Sequence, residues 1–159
     1  MNRKQAPFLL MLLLSLAGCI GTSSQVIDRY APAAGDKFSY TIDNSGGMSE
    51  EALGIFKSKL DSELSASGLL AATPGSAARR VAIHVTTYRM RHGAARGLLG
   101  IMAGKDSIQS TVRVTDAASG RVLGSTEVES GNATAMGTSH GLIEGHAREI
   151  VQFLRGTTN

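Results

Sequence analysis

The stretch from Ile108 to Glu129 constrains the fold most. Ile108, Ser110, Val112 and Val114 alternate with Gln109, Thr111, Arg113 and Thr115. That two-residue period sends one set to a core and the other to solvent, as in a strand. Asp116-Ala117-Ala118-Ser119-Gly120 follows. Its aspartate can bond to nearby backbone and its glycine accepts a positive φ, so the chain is expected to turn there. Arg121 to Glu129 then returns as a second strand. A lone hairpin is marginal in water, so other elements must cover its apolar face.

The flanking sequence supplies them. Phe38-Ser39-Tyr40-Thr41-Ile42 reads as a strand, and Val81, Ile83 and Val85, alternating with Ala82, His84 and Thr86, as another running to about Met90. Ser49 is a suitable N-cap, with Glu50 and Glu51 in the first turn. Leu53, Phe56, Leu60 and Leu64 form a helical stripe ending near Gly68. A second stripe (Leu142, Ile143, His146, Ile150, Phe153, Leu154) ends at Arg155-Gly156. Residues 71–78 and 131–137 read as loops. The expected order is β-α-β-β-β-α, an α+β fold with two helices on one face of a small, mostly antiparallel sheet. A single domain over residues 37–156 is expected.

The chain opens with a leader. Arg3 and Lys4 precede an apolar run from Ala6 to Leu16, too short to span a bilayer. The run ends in Leu16-Ala17-Gly18-Cys19, which resembles the lipobox of bacterial lipoproteins. The resemblance implies cleavage after residue 18, with Leu16, Ala17 and Gly18 read by the signal peptidase and Cys19 carrying the lipid. Cys19 is the single cysteine of the 159 residues, so an intramolecular disulfide is excluded. Ile20 in place of an aspartate implies an outer-membrane address facing the periplasm in a Gram-negative cell. Residues 19–36, rich in Gly, Ser, Ala and Pro, are expected to be the lipidated cysteine and a flexible tether. The formal charge of +3 falls to +1 once Arg3 and Lys4 leave with the leader. That balance argues against nucleic acid as a partner.

Between the second strand and the hairpin lies Gly93-Ala94-Ala95-Arg96-Gly97-Leu98-Leu99-Gly100-Ile101-Met102-Ala103-Gly104-Lys105. With Val112 to Leu123 it resembles a family of small proteobacterial lipoproteins grouped as a domain of unknown function. Members share a strand, a Gly/Ala-rich apolar stretch and a V-x-V-x-D-x-x-x-G-x-V-L hairpin. The likeness covers residues 37–155 in layout and about 80–128 in motif, and implies no activity, cofactor or catalytic residue. The element order is also similar to small periplasmic envelope domains, such as the N-terminal domain of the Tol–Pal translocation protein.

Little in the sequence points to chemistry. Leu99 to Asp106 lacks the first glycine and the Ser/Thr of a phosphate-binding loop, with Leu99 and Asp106 in those places. His84, His92, His140 and His146 are not spaced as metal ligands, and His146 falls in an apolar stripe where a core histidine is expected. Ser139-His140 has no third member or nucleophile elbow. Glu127 and Glu129 share a strand face, and Arg79, Arg80, Arg89, Arg91 and Arg96 make the middle locally basic; solvated faces are expected for both. No catalytic residue, metal or cofactor is therefore expected. Leu98, Leu99, Ile101 and Met102 are either a contact surface or part of the chain's own core. The expected role is a lipid-anchored, non-enzymatic envelope scaffold that binds a protein partner. The alternative is a carrier or sensor holding a lipid, glycan or small ligand between helices and sheet.

Overall fold

The computed structural model describes residues 21–91, 105–132 and 138–158. Their elements are β1 (Gly21–Asp28), β2 (Phe38–Asp43), α1 (Glu50–Ala66), a 3-10 turn at Pro74–Ser76, β3 (Arg79–Arg89), β4 (Asp106–Asp116), β5 (Val122–Asn132) and α2 (Ser139–Leu154). The strands form one sheet in the order β1-β5-β4-β3-β2. All neighbours are antiparallel except β2 and β3, which are parallel and joined through α1. The expected α+β architecture holds, with one strand more.

The local reasons are those of the sequence. Ser49 caps α1, its side chain accepting from the Ala52 amide at 3.2 Å. Thr138 caps α2 through the Gly141 amide at 3.0 Å. Gly68 and Gly156 end the helices at positive φ. In the hairpin, Asp116 Oδ1 accepts from the amides of Ala118 and Ser119, and Gly120 takes φ 71°. Phe56, Leu60 and Leu64 of α1 meet Ile143, Ile150, Phe153 and Leu154 of α2 over Val81, Ile83, Val85, Ile108, Val112 and Val114 of the sheet, all of them buried. Burying each such side chain contributes about 1.5–3 kcal/mol before entropy is counted.

The extra strand corrects the expected tether. Residues 21–28 pair with β5 from Gly21↔Gly131 to Asp28↔Ser125. Being at the sheet edge, β1 buries its inward positions only partly. Thr22 and Ser24 therefore serve where a central strand needs apolar residues. Thr22 Oγ1 bonds to Ser130 Oγ at 2.8 Å, and the Ser24 hydroxyl donates to Glu149 at 2.7 Å. Tyr30 then enters the core, its ring set edge-on to Phe38 at 5.8 Å and tilted against Phe153 at 6.4 Å. Gly124 permits this approach, because a Cβ there would lie 2.7 Å from the Tyr30 Cβ. The expected loop from residue 131 also shortens, since β5 runs on to Asn132.

Candidate functional site

The two faces of the sheet differ completely. The helices cover one; the other carries Ser39, Thr41 and Asp43 of β2, Arg80, Ala82 and His84 of β3, Gln109, Thr111 and Arg113 of β4, Glu127 and Glu129 of β5, and Ser23 and Gln25 of β1, placed there by the strand alternation and pairing. No described element packs on this face. Its centre holds a concavity of about 380 Å³ lined by Ser23, Gln25, Thr86, Gln109, Thr111, Glu127 and Glu129, among others. Lys105 Nζ stands 2.9 Å from Glu129 Oε1 and, as the nearest donor, holds that carboxyl below the usual carboxylate range. His84 Nδ1 lies 2.8 Å from Asp43 Oδ2 across the β2–β3 pair. Hydroxyls, amides and a few charges on a rigid wall can hydrogen-bond a polar surface.

A second cavity, of about 710 Å³, opens where both helices begin. Ala52, Ile55, Ile143, Tyr88 and Met90 give it apolar walls, and Glu51, Arg89, Ser139 and His140 stand among its polar lining. Along the rest of the helix–sheet interface the described apolar side chains are buried against one another.

The most organised polar cluster is sealed. His146 is fully buried at the centre of α2. Its Nε2 lies 2.7 Å from Ser110 Oγ and its Nδ1 lies 2.9 Å from Ser130 Oγ, which reaches on to Thr22. The Phe56 ring covers it at 5.9 Å. Burial pushes its pKa down to about 4, so the ring is neutral, one nitrogen donating and the other accepting. The spacing resembles a serine–histidine relay, yet a side chain without exposure cannot meet a substrate. His146 is the hydrogen-bonded core histidine its stripe implied; its partners Ser110 and Ser130 were not singled out, although Ser110 stands in the apolar register of β4.

The basic stretch divides. Arg91 is not on a solvated face. Its side chain is buried beside Asp106, with Nε 3.2 Å from Oδ1 and Nη2 donating to the Asn132 carbonyl at 3.1 Å, while its amide donates to Asp106 at 2.7 Å. Arg79 links Asp36, at 3.1 Å, to Asp116, at 2.7 Å. Only its low exposure would have signalled either pairing, since the acids lie 15 and more residues away in sequence. Arg80 and Arg89 are exposed as expected. Leu16, Ala17, Gly18 and Cys19 lie outside the described residues, as do His92, Arg96, Leu98, Leu99, Ile101 and Met102. Among the described residues no group of three or more His, Cys, Asp or Glu side chains is placed to hold a metal, and no helix is long and apolar enough to cross a membrane.

The fold is similar to that of known structures. PelC from Paraburkholderia phytofirmans, a dodecamer, aligns in one structure at 16% identity over 84% of this chain and 97% of that one, with a TM-score of 0.61. In another it aligns at 14% identity over 87% and 99%, with a TM-score of 0.62. At these identities the likeness is one of fold. No curated protein matches the sequence. Residues 43–137 match the model of a family described as a domain of unknown function (DUF4410), and the chain belongs to that family.

Proposed function

We propose that this chain is a lipid-anchored envelope protein without enzymatic activity, and that its uncovered sheet face binds a protein partner. The observation that carries this reading is the contrast of the two faces. One is closed by packed helices; the other is a polar wall with a shallow concavity and no described element over it. The histidine best placed for acid–base work is buried among serines and out of reach of any substrate. Anchoring rests on Leu16-Ala17-Gly18-Cys19 and the apolar run before it. Under the same reading the protein stands on the periplasmic face of the outer membrane.

The partner includes a second copy of this chain, a choice supported by the dodecameric assembly of the similarly folded PelC. Photo-crosslinking in cells tests the face directly. Crosslinkers at Thr111 and Glu127 on the open face should give discrete adducts, and one at Lys57 on the outer side of α1 should not. Adducts from Lys57 alone would overturn the assignment. Analytical ultracentrifugation of the detergent-solubilised protein separates self-association from a foreign partner.

A second reading has one observation behind it. The 710 Å³ cavity at the helix starts, walled by Ile55, Tyr88, Met90 and Ile143, is large enough for a small apolar ligand. Extraction of the purified protein and mass spectrometry of what it releases would decide for or against a carried ligand.

A further inference from the structure

The anchoring reading combines with the position of β1 to orient the whole domain. Gly21 already pairs with Gly131, so only residue 20 separates the fold from Cys19. Two residues span at most about 7 Å. The end of the sheet where β1 begins is therefore held against whatever surface receives the lipid.

The strand register gathers several other chain positions at that same end. Asp106 pairs with Asn132, and Ser107 with Arg89. Arg91 reaches the Asn132 carbonyl. Ser49 and Ser139, where the helices start, line one cavity with Met90 and Arg91. The chain thus leaves this end at Arg91 and returns to it at Lys105.

Laying either broad face on lipid is opposed by charge. Laying the open face on lipid would press Glu127, Glu129 and Arg113 into the headgroups and desolvate them. Laying the helices down would do the same to Lys59, Glu63 and Arg148, which pair on their outer side. At the β1 end Arg91 and Asp106 pair out of solvent, with side chains 3% and 1% exposed, and the exposed Lys105 pairs with Glu129; Glu50, Glu51 and Arg89 are exposed there too and would lie among the headgroups.

We propose that this end of the sheet lies directly on the bilayer, with the strands upright and the Asp116–Gly120 turn at the far end. The partner of the end surface is the lipid itself, and the open polar face stands perpendicular to the membrane. This rests on the lipidation of Cys19. The far turn is then about 35 Å from the surface, at about 3.4 Å per residue of β4.

The chain has no tryptophan, so a single introduced one reports alone. Full-length protein, purified after processing in cells, is placed in phosphatidylcholine vesicles with brominated acyl chains. Reporters are Lys105→Trp and His140→Trp at the near end and Ser119→Trp at the far turn. Circular dichroism confirms folding, and the two near-end variants guard against loss of either. Emission should fall roughly twofold for the near-end reporters, as for groups at the depth of an interfacial contact, about 5–10 Å. It should be unchanged for Ser119→Trp. Equal quenching at both ends, or none at the near end in a chain whose mass shows acylated Cys19, overturns the orientation. An unacylated chain overturns the anchoring reading beneath it instead, so the two failures are told apart.

Discussion

The two ends of the sheet are each tied by an arginine–aspartate pair, and the pairs differ in how far water is excluded. At the β1 end, Arg91 and Asp106 are 3% and 1% exposed, and Arg91 also donates to the Asn132 carbonyl. At the other end Arg79 is 20% exposed and divides itself between Asp36, 4% exposed, and Asp116, 26% exposed. Tyr30 adds a hydroxyl donated to Asp36, and burial, more than its acidic neighbour, pushes the phenol up to about 12. The same chemistry therefore does two kinds of work. In the dry pair water cannot take the place of a lost partner, so removing either charge is costly. In the wetter network each group keeps a second partner or some water, and loss of one member is shared.

The largest expected effect comes from breaking the dry pair. Asp106→Ala should destabilise the domain by about 3–5 kcal/mol, because Arg91 stays buried after losing a charged partner that water cannot replace. Urea denaturation of the purified protein measures it. Replacing both together, Arg91→Met with Asp106→Leu, should recover most of the loss. No recovery would mean that Asp106 acts through its bond to the Arg91 amide rather than through charge.

His146 provides a buried polar group that carries no charge, and sharpens the comparison. Its folded pKa of about 4 lies below the ordinary 6.5. Above about pH 6.5 the ring is neutral in both states and contributes no pH dependence. As pH falls from there the unfolded chain takes up a proton that the folded one refuses. Stability should drop by about 3 kcal/mol by pH 4, at 1.36 kcal/mol per unit. Ser110, Ser130 and Phe56 meet the ring, with Thr22 bonded to Ser130 behind it, and none of them is a carboxylate that could offset the effect. His146→Gln should flatten that part of the pH profile; an unchanged slope would assign the acid sensitivity to carboxylates.

These sites also show where sequence reasoning reaches and where it stops. His146 was legible because it stands in an apolar stripe of period 3.6, and the hairpin because Asp116 and Gly120 have local jobs. The strand β1 was not, since edge burial is shallow and Thr22 and Ser24 take polar partners there; Val26 and Ile27 are its only large apolar residues, and Ile27 is exposed. Arg91 read as one of a solvated basic run because its partners, Asp106 and Asn132, reach it only through the β3–β4–β5 pairing. Periodicity reports which face a residue takes. It cannot report which distant residue meets it there.

At the wetter end, Asp36→Ala should cost about 2 kcal/mol, the range for a hydrogen-bonded charged acceptor. The Tyr30 hydroxyl and the Ala33 amide lose their acceptor, while Arg79 retains Asp116. The tyrosine titration checks the same loss, because Tyr30 should ionise at lower pH once Asp36 is gone. A loss as large as that of Asp106→Ala would erase the distinction between the two ends.

The smallest effect belongs to the exposed pair Lys105–Glu129, with side chains 57% and 46% in solvent. Lys105→Ala should change stability by no more than about 0.5 kcal/mol, since water and salt screen such a pair. Its signature is in titration. Lys105 holds the Glu129 carboxyl low, so removing it should raise that pKa toward the usual range, a shift visible by carbon-13 NMR and diminished by salt. The favourable pairing is present above the ordinary carboxylate pKa and is lost as pH falls through the depressed one. A stability loss comparable to that at Asp36 would show Lys105 bearing structural weight at the β1 end. A negligible loss makes position 105 a harmless place for a reporter, and gives the depth measurement there its force.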